Sequence, residues 1–534
     1  TPPILWSIAG TDSGGGAGLS ADARAAAALG VHLCPVVACV TAQNSLAVEQ
    51  LYPLPAAQIE AQLAALGRDM RPQAIKTGLL GSVAAVELVA RCIDGLRRDG
   101  PVALVVDPVL RASSGAALAD AAVLQAYREL LLPRASLITP NEAEARRLLG
   151  GAQAEVPALA RGLRSLGAEA VCITGGDSSG STALALDYLL APEASGWLAL
   201  PRLPGRHNHG TGCSFASAAA AALARSFVSA DALVLAKMLV WCAVRDGRAA
   251  GCGAGPVQAS ADFIFEPAAM PVLGWGDAIE PSELARWHAV FAAAPVEPME
   301  HFGLYAISDR PARIAELAEA GIAHLQLRLK RGPAHDDAAL EAAIRASLRA
   351  AAGKPATLWI NDHWRLAAAA GASAIHLGQE DWLGLHEDER EALLASGLQL
   401  GLSSHSLWEL ARARGLAPRY IACGPIWPTL TKAMPWRPQG LGNLAWWVRM
   451  AGRPVLAIGG ILAPGQARDC AATGSAGVCL VRALDGDAAP QAFAEAWMQG
   501  RWQPQPTTMA PPQPVLSPAP VLRAAAPGSA PRAG

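Results

Sequence analysis

His209-Gly210-Thr211-Gly212-Cys213, followed without a break by the alanine-rich run 214–224, organises the first half of this 534-residue chain. Two glycines let the backbone approach a ligand closely, and the run behind them reads as a helix whose first N–H groups lack intrahelical partners. Such a helix start attracts anions, and a phosphoryl group in transfer gains from backbone donors that need not reorganise as charge develops. Cys213 falls in the first turn, where a helix N-terminus acidifies a thiol. Gly-x-Gly before a helix is also common where no phosphate binds, so the surrounding chain decides the meaning of the stretch.

Upstream of it, short β-branched runs at 4–9, 35–41, 74–78, 103–109, 137–139 and 170–174 alternate with longer alanine- and leucine-rich helical segments. That alternation is the pattern of an α/β domain with a mostly parallel sheet. Each run ends in polar or glycine residues: Gly10 to Gly16, Thr41-Ala42-Gln43-Asn44, Lys76-Thr77-Gly78, Asp107-Pro108, Thr139 to Glu142, and Thr174-Gly175-Gly176-Asp177. Ligands of open parallel sheets bind outside the carboxyl ends of the strands, so six such loops converge on one cleft. Gly14-Gly15-Gly16 fits neither the dinucleotide fingerprint nor the phosphate-binding loop ending in Gly-Lys-Ser/Thr. Asn141 and Glu144 stand three apart at a helix start, where Glu144 could hold a hydrated magnesium ion; an N-cap with first-turn acids is equally good physics.

Taken together and in order over residues 4–262, these loops and the Gly210 to Cys213 stretch closely resemble hydroxymethylpyrimidine/phosphomethylpyrimidine kinase, a ribokinase-fold family of thiamine biosynthesis. The resemblance implies a three-layer αβα domain in which Gln43 hydrogen-bonds an aminopyrimidine, with Gly10 and Asp12 lining the same pocket. It implies that Asn141 and Glu144 arrange Mg2+ and ATP, the co-substrate. Gly210, Gly212 and Cys213 then form the anion hole, with Cys213 where most of the superfamily carries an aspartate base. Thr174 precedes Gly175-Gly176 where the family usually has lysine, so one phosphate contact is either missing or supplied by Lys237.

Residues 263–300 break the alternation with a cluster of prolines and glycines around one helical stretch, 282–293, and read as a linker between domains spanning 1–262 and 301–502. Beyond it, strand-like runs at 303–308, 323–329, 356–360, 374–377, 399–403, 420–423, 454–458 and 477–481 recur about every 25 residues, the count and spacing of a (β/α)8 TIM barrel. An open doubly wound sheet is the structural alternative. Polar residues collect after the strands, and Gln326, Arg328 and Lys330 alternate on one face of one of them. Two cations aimed into a barrel mouth call for an anion. Asp362 and Asp381, on neighbouring strand ends, can reach one hard cation, and two solvated loop acids are the alternative. His376, within a strand, reads as a packed core histidine rather than a metal ligand.

Gln326 to Lys330, Ile360-Asn361-Asp362, Ile375 to Asp381, Gly401 to His405, Gly424 to Lys432 and Ile458 to Ile461 are similar to thiamine-phosphate synthase over 302–499. The resemblance implies that Gln326, Arg328, Lys330 and Asn361 hold a pyrimidine diphosphate, that Asp362 and Asp381 hold Mg2+, and that Ser403 and Lys432 steady the departing diphosphate. Thr429, Thr431 and Gly460 would bind the thiazole phosphate. Leu329 replaces an acid often found there, and Val481-Arg482 stands where a Val-Ser pair usually closes the thiazole phosphate site, so Arg482 either strengthens that contact or fills the site. These departures keep open a barrel that binds ligand without turning it over, and a vitamin B6-type kinase remains an alternative for the first half.

The charge balance, 43 basic against 45 acidic residues, points to small-molecule substrates rather than to nucleic acid or a membrane surface. No uncharged apolar run approaches a membrane span and no secretory leader is visible, so a cytoplasmic location is expected. Assembly into a homo-oligomer is left open. Of the ten cysteines, nine read as reduced core residues and Cys213 as the exception. Residues 503–534 are proline- and alanine-rich without a periodic face and read as a disordered tail.

Overall fold

In the first half, neighbouring residues of each central strand face two different cores, because side chains alternate across a sheet. The computed structural model describes residues 1–110, 119–176, 183–293, 301–333, 335–428, 435–484, 490–502 and 509–516. Its strands are β1 (Ile4–Gly10), β2 (His32–Gln43), β3 (Val48–Pro53), β4 (Ala74–Thr77), β5 (Ala103–Val106), β6 (Leu137–Ile138), β7 (Val171–Thr174), β8 (Leu184–Leu190), β9 (Ser195–Pro201) and β10 (Val272–Leu273). They form one sheet in the order β10-β9-β8-β7-β6-β5-β4-β1-β2-β3. Ala74, Val105, Leu137 and Cys172 face a core with helices Gly18–Ala28, Thr211–Ala224 and Ser229–Arg245. Ile75, Leu104, Ile138 and Val171 face a second core with helices Ala56–Gly67, Val83–Arg98 and Val156–Ser165. This is the three-layer αβα arrangement expected.

The six central strands, β7 to β4 with β1 and β2, run parallel, so their carboxyl ends share one edge. β3, β8, β9 and β10 join antiparallel at the two flanks. Helix Thr211–Ala224 is rich in alanine because, beyond its first turn, it is buried among the sheet and helices Gly18–Ala28 and Ser229–Arg245, where larger side chains would hold its neighbours apart.

The second half closes into a barrel of parallel strands: β11 (Gly303–Ser308), β12 (His324–Leu327), β13 (Thr357–Asn361), β14 (Ala374–Leu377), β15 (Gln399–Ser404), β16 (Tyr420–Cys423), β17 (Val455–Ile458) and β18 (Gly477–Leu480). Pairing of β18 with β11 completes the ring and excludes the open-sheet alternative. Its interior is packed with aromatic side chains, Phe302, Tyr305, Trp359 and Tyr420 among them.

The stretch read as a linker is built into the fold. β10 extends the first sheet, helix Pro281–Ala292 follows, and Trp287 on that helix is completely buried. Barrel helix Leu407–Leu416 packs against β10, helix Pro281–Ala292 and helix Ser229–Arg245, and all ten of its residues are buried. Polar bonds cross the same seam: Trp446 Nε1 donates to Ile264 O at 2.7 Å and Arg412 to Ser195 O at 2.5 Å. Part of the tail packs too, since Gln513 and Asn443 exchange two hydrogen bonds and Val515 is buried. Among the cysteines, Cys252 is exposed and Cys92 half-buried, so the expectation of nine core thiols fails at these two positions. No helix among the described residues is long and apolar enough to cross a membrane.

Candidate functional site

Two mouths carry the polar loops, one at the carboxyl edge of the first sheet and one at the carboxyl ends of the barrel strands. In the first, the loop after β1 folds back on the 209–212 turn through contacts only glycine permits. A Cβ on Gly210, whose φ is +86°, would stand 2.2 Å from Gly16 O, and one on Gly18 would stand 2.3 Å from Gly10 O. Helix Thr211–Ala224 begins at Gly210 without a side-chain cap, and the N–H groups of Gly212 and Cys213 have no partner among the described residues. A Cβ on Gly212 would meet nothing within 4 Å, so a ligand can approach the backbone there.

Asp12 anchors this turn. Its Oδ1 accepts from Gly14 N at 2.8 Å and its Oδ2 from Ala17 N at 2.7 Å and Gly16 N at 3.0 Å, with His209 Nε2 also 3.0 Å away. Burial works against its charge, but the hydrogen bonds from His209, Ala17 and Gly14 outweigh it and hold the carboxyl below its ordinary range. His209 Nε2 also lies 3.3 Å from Gln43 Nε2, and Ser13 ties the β1 loop to Gln43 through bonds of 2.6 and 2.8 Å. Gln43, Asp12 and the Gly210 turn are therefore one unit, with Gly10 at its floor beside Leu79 and Cys39.

Beneath it lies Lys76, fully buried, 3.1 Å from Asp22 and 3.4 Å from Asp107. Burial opposes its charge, but these carboxylates prevail and hold the ammonium well above the usual lysine range. The Cys213 thiol is pushed up to about 12, first by burial and then by Asp107 and Asp22, despite the pull of Lys76. Burial and two nearby carboxylates thus act against the acidification expected from the helix start.

At the other end of the cleft Asn141 and Glu144 form a reciprocal capping box, Glu144 N to Asn141 Oδ1 at 2.9 Å and Asn141 N to Glu144 Oε2 at 3.0 Å. Lys237 is buried, 2.7 Å from Asp187, whose other oxygen accepts from Gly175 N at 3.0 Å. It reaches the Thr174-Gly175 loop through Asp187 rather than presenting a free ammonium.

In the barrel, Gln326 donates to Asn361 Oδ1 at 2.8 Å and both are buried. Arg328 makes no side-chain bond to any described residue, and Lys330 stands 2.5 Å from Asp362. Asp362 has a φ of +66°, a left-handed conformation that aspartate adopts more readily than most residues. Asp381 accepts from Gly378 N at 3.0 Å, and its carboxyl is raised by burial and then by the negative charge of Asp362 beside it. Two crowded carboxylates with one lysine between them suit a divalent cation that takes its remaining ligands from water and substrate oxygens. No group of three or more metal-ligating side chains occurs among the described residues.

Ser403 Oγ lies 2.8 Å from His376 Nε2. Gly459 and Gly460 have φ of +92° and +73°, and a Cβ on Gly460 would lie 2.6 Å from Trp427 Cβ. Val481 is half-buried and Arg482 is exposed at the start of a short turn, so Arg482 does not fill the mouth. Leu329 is buried and its carbonyl accepts from His363 Nε2 at 3.0 Å. Thr429, Thr431 and Lys432 lie outside the described residues.

The family model for phosphomethylpyrimidine kinase matches residues 12–258, and that for thiamine monophosphate synthase matches 304–484. A probable chloroplastic thiamine biosynthetic bifunctional enzyme of Oryza sativa subsp. japonica is 33% identical over 90% of this chain and 86% of its own length. The chain belongs to the bifunctional thiamine biosynthetic enzymes. The Arabidopsis thaliana chloroplastic bifunctional enzyme TH1 is likewise 33% identical, over 86% of this chain and 85% of its own. The kinase domain alone is 40% identical to a hydroxymethylpyrimidine/phosphomethylpyrimidine kinase of Streptomyces coelicolor, covering 94% of that protein. Among solved structures, a Bacillus subtilis pyridoxal kinase in an ADP complex aligns with 98% of its length at 30% identity and a TM-score of 0.45.

Of the residues singled out from sequence, the kinase domain brings Gly10, Asp12, Gln43, Gly210, Gly212 and Cys213 together and sets Asn141, Glu144 and Lys237 around the remaining strand ends. The synthase domain gathers Gln326, Arg328, Lys330, Asn361, Asp362 and Asp381. Sequence reasoning missed His209, although it begins the stretch that drew attention first, and missed the buried Lys76, Asp22 and Asp107 group. A lysine and an aspartate at the ends of adjacent β4 and β5 were its only sequence signal.

Proposed function

We propose that the kinase domain transfers the γ-phosphoryl group of ATP to 4-amino-5-hydroxymethyl-2-methylpyrimidine and then to its monophosphate. The synthase domain then couples the resulting diphosphate to thiazole phosphate, forming thiamine phosphate and releasing diphosphate. The carrying observation is the barrel mouth, where Lys330 pairs with Asp362 beside Asp381 and Arg328, with no side-chain bond to any described residue, acts on the same His376 as Lys330. Cations beside a carboxylate pair suit a diphosphate that is bound together with a divalent cation.

In the kinase half, Gln43 supplies a carboxamide to the aminopyrimidine edge, its oxygen held by Thr41 and its nitrogen beside His209, while Ser13 fixes its backbone. Asp12 holds the β1 loop in place rather than binding substrate itself. The Gly210 to Cys213 helix start offers unpartnered N–H groups to the transferring phosphoryl, as transition-state stabilisation requires. Asn141 and Glu144 fix the nucleotide side of the cleft, and Lys237 orders the Gly175 loop through Asp187. In the synthase half, the bond between the pyrimidine methylene and the diphosphate oxygen breaks with its electron pair on diphosphate, and the thiazole nitrogen closes on the carbon. Arg328, Lys330 and Ser403 hold the departing group, and Gly460 and Arg482 meet the thiazole phosphate. Mg2+ held by Asp362 and Asp381 would add positive charge against the diphosphate.

The test supplies hydroxymethylpyrimidine, Mg-ATP and thiazole phosphate to the full chain and measures thiamine phosphate. Product is expected, and Asp381→Ala should abolish it while pyrimidine diphosphate still accumulates. Accumulation of the diphosphate by the unmodified chain with no thiamine phosphate would leave the barrel a ligand-binding module.

A further inference from the structure

Prolines hold the segment Pro511-Pro512-Gln513-Pro514-Val515 extended, since each fixes its own φ and restricts the residue before it. Only Gln513 and Val515 in it carry a backbone N–H, so most of its bonding capacity lies in carbonyl oxygens. Gln513 N donates to Asn443 Oδ1 at 2.8 Å, and Asn443 Nδ2 donates back to Gln513 O at 3.1 Å. Arg437 N donates to Val515 O at 2.7 Å, and Arg225 of the kinase domain reaches Pro512 O at 3.5 Å. Pro512 and Val515 are buried, whereas Gln513 is exposed and bonds to the barrel through its backbone.

Asn443 passes this contact on to the synthase mouth. Its Nδ2 also donates to Gln439 Oε1 at 3.0 Å, and both amides are buried. Gln439, just before helix Gly440–Met450, joins the ends of two barrel strands. Its Nε2 donates to His405 O at 2.5 Å, just after β15, and its backbone N–H to Pro425 O at 2.7 Å, just after β16. Ser403 stands two residues before His405 on β15. The turn after Pro425 lies on the end of β17, where Ile426 N donates to Ile458 O at 2.9 Å and Trp427 N to Gly459 O at 3.1 Å, beside Gly460. Gln326, Arg328, Lys330 and Asn361 lie on or just after β12 and β13, across the ring from β16 and β17.

Every direction in this file is dictated by a backbone group. A backbone N–H can meet only the oxygen of an amide and a carbonyl only its nitrogen, so Gln513 fixes which way round Asn443 lies. Asn443 then has one N–H left for Gln439, whose oxygen is committed to it and whose nitrogen turns to His405. We infer that Asn443 and Gln439 are positioning residues for the coupling step, and that the C-terminal segment 511–515 is the strap that orients them and so sets the thiazole-phosphate side of the synthase mouth. This rests on the synthase reading above.

The experiment compares full-length variants supplied with pyrimidine diphosphate, thiazole phosphate and Mg2+. Gln513→Pro removes the N–H that Asn443 accepts, whereas Gln513→Ala keeps the strap, whose bonds are made by the backbone. Gln513→Pro should raise the KM for thiazole phosphate about tenfold and leave the KM for pyrimidine diphosphate within about twofold of wild type. Pyrimidine phosphorylation should be unaffected, and Gln513→Ala should match wild type throughout. A smaller folded fraction would move neither KM. Asn443→Ala should reproduce the shift, and adding Gln513→Pro to it should change nothing more, because both break the same bonds. An unchanged KM for thiazole phosphate in Gln513→Pro, equal shifts in both KM values, or multiplicative losses in the double variant would overturn the inference. Hydrogen exchange reads the strap without turnover: the Ile426 and Trp427 amides should exchange faster in Gln513→Pro and not in Gln513→Ala, and equal rates would also overturn it. Failure of the unmodified chain to make thiamine phosphate would instead overturn the synthase reading, while the exchange rates still decide whether the strap holds these loops.

Discussion

The Asp231 carboxylate, at the start of a kinase-domain helix, accepts a 2.9 Å hydrogen bond from the backbone N–H of Trp408 in the synthase domain. One domain thus caps a helix of the other in a fully buried seam. Burial raises Asp231 to about 7, against the unfolded value near 4. A carboxyl raised on folding stabilises most below the unfolded value, and the contribution is lost as pH rises towards 7, by up to about 4 kcal/mol. Denaturant melts should show this contribution at its full value below pH 4 and declining from there towards pH 7. Asp231→Asn, which keeps an acceptor without the charge, should flatten that dependence, whereas Asp231→Leu should cost about 1–2 kcal/mol at all pH values. An unchanged slope in Asp231→Asn would remove Asp231 from the account.

Cys213 should be slow to alkylate at neutral pH, since only the thiolate reacts and the thiol is held near 12. With limiting iodoacetamide at pH 7.5, mass spectrometry should find the exposed Cys252 labelled first, with pyrimidine phosphorylation intact. Loss of kinase activity in step with Cys213 labelling would show an acidified thiol. Cys213→Ala should still abolish phosphorylation if the sulfur touches the reacting group, so the two measurements separate contact from ionisation.

Why some features were legible in the sequence and others were not follows from the range of the forces involved. All eight barrel strands could be read, because each is a short apolar run set off by a helical period, and β11 and β14 even match at both ends. The flanking strands β3, β8, β9 and β10 were not picked out: β3 is largely exposed and carries no apolar signature, and β10 is two residues long. Asp12, Asn141 and Glu144 were singled out by position, and only coordinates show which backbone donors fill their oxygens. The reading of Cys213 as acidified drew on helix position, which is local, whereas the burial that raises its thiol and the carboxylates of Asp107 and Asp22 come from distant parts of the chain. For the described parts of the linker and tail, 263–293 and 509–516, the converse holds. Proline and glycine report local irregularity and say nothing of Trp287 or Val515 finding a partner surface.

Gly210→Ala should silence the kinase and spare the synthase. The new methyl would stand 2.2 Å from Gly16 O at a φ of +86°, so the turn must open, at a cost of roughly 1–3 kcal/mol from the backbone alone. Pyrimidine phosphorylation should fall at least a hundredfold, while thiamine phosphate forms normally from added pyrimidine diphosphate. A kinase rate within threefold of wild type would show that the turn does not hold the phosphoryl group.

The metal requirement of the synthase should steepen as pH falls. Asp381 is raised by burial and by Asp362, so it takes up a proton at a higher pH than an ordinary aspartate, and a protonated carboxyl binds a hard cation poorly. The half-saturating Mg2+ concentration for thiamine phosphate formation should rise as pH drops from 7 to 5.5. Asp362→Asn should lower the Asp381 value and weaken the pH dependence while reducing overall affinity. A Mg2+ requirement independent of pH in the wild-type chain would argue against this carboxylate pair as the site.

The pyrimidine diphosphate should pass between the domains through solvent. The kinase loops sit at the carboxyl ends of β1, β2 and β4 to β7. The synthase docks at the opposite end: Ser195 follows the β8–β9 turn, which lies beside the start of β7, and Asp231 lies at the start of the helix anchored there by Glu193. The two mouths therefore do not face one another across the seam, and a path from the Gly210 turn to Lys330 must go around the kinase sheet. With labelled hydroxymethylpyrimidine and an excess of unlabelled pyrimidine diphosphate, label in thiamine phosphate should fall in proportion to the diluted pool. A mixture of Cys213→Ala chains and Asp381→Ala chains should also make thiamine phosphate after a lag while the diphosphate accumulates. Label that resists dilution, together with no product from the mixed variants, would require a protected route that this docking does not provide.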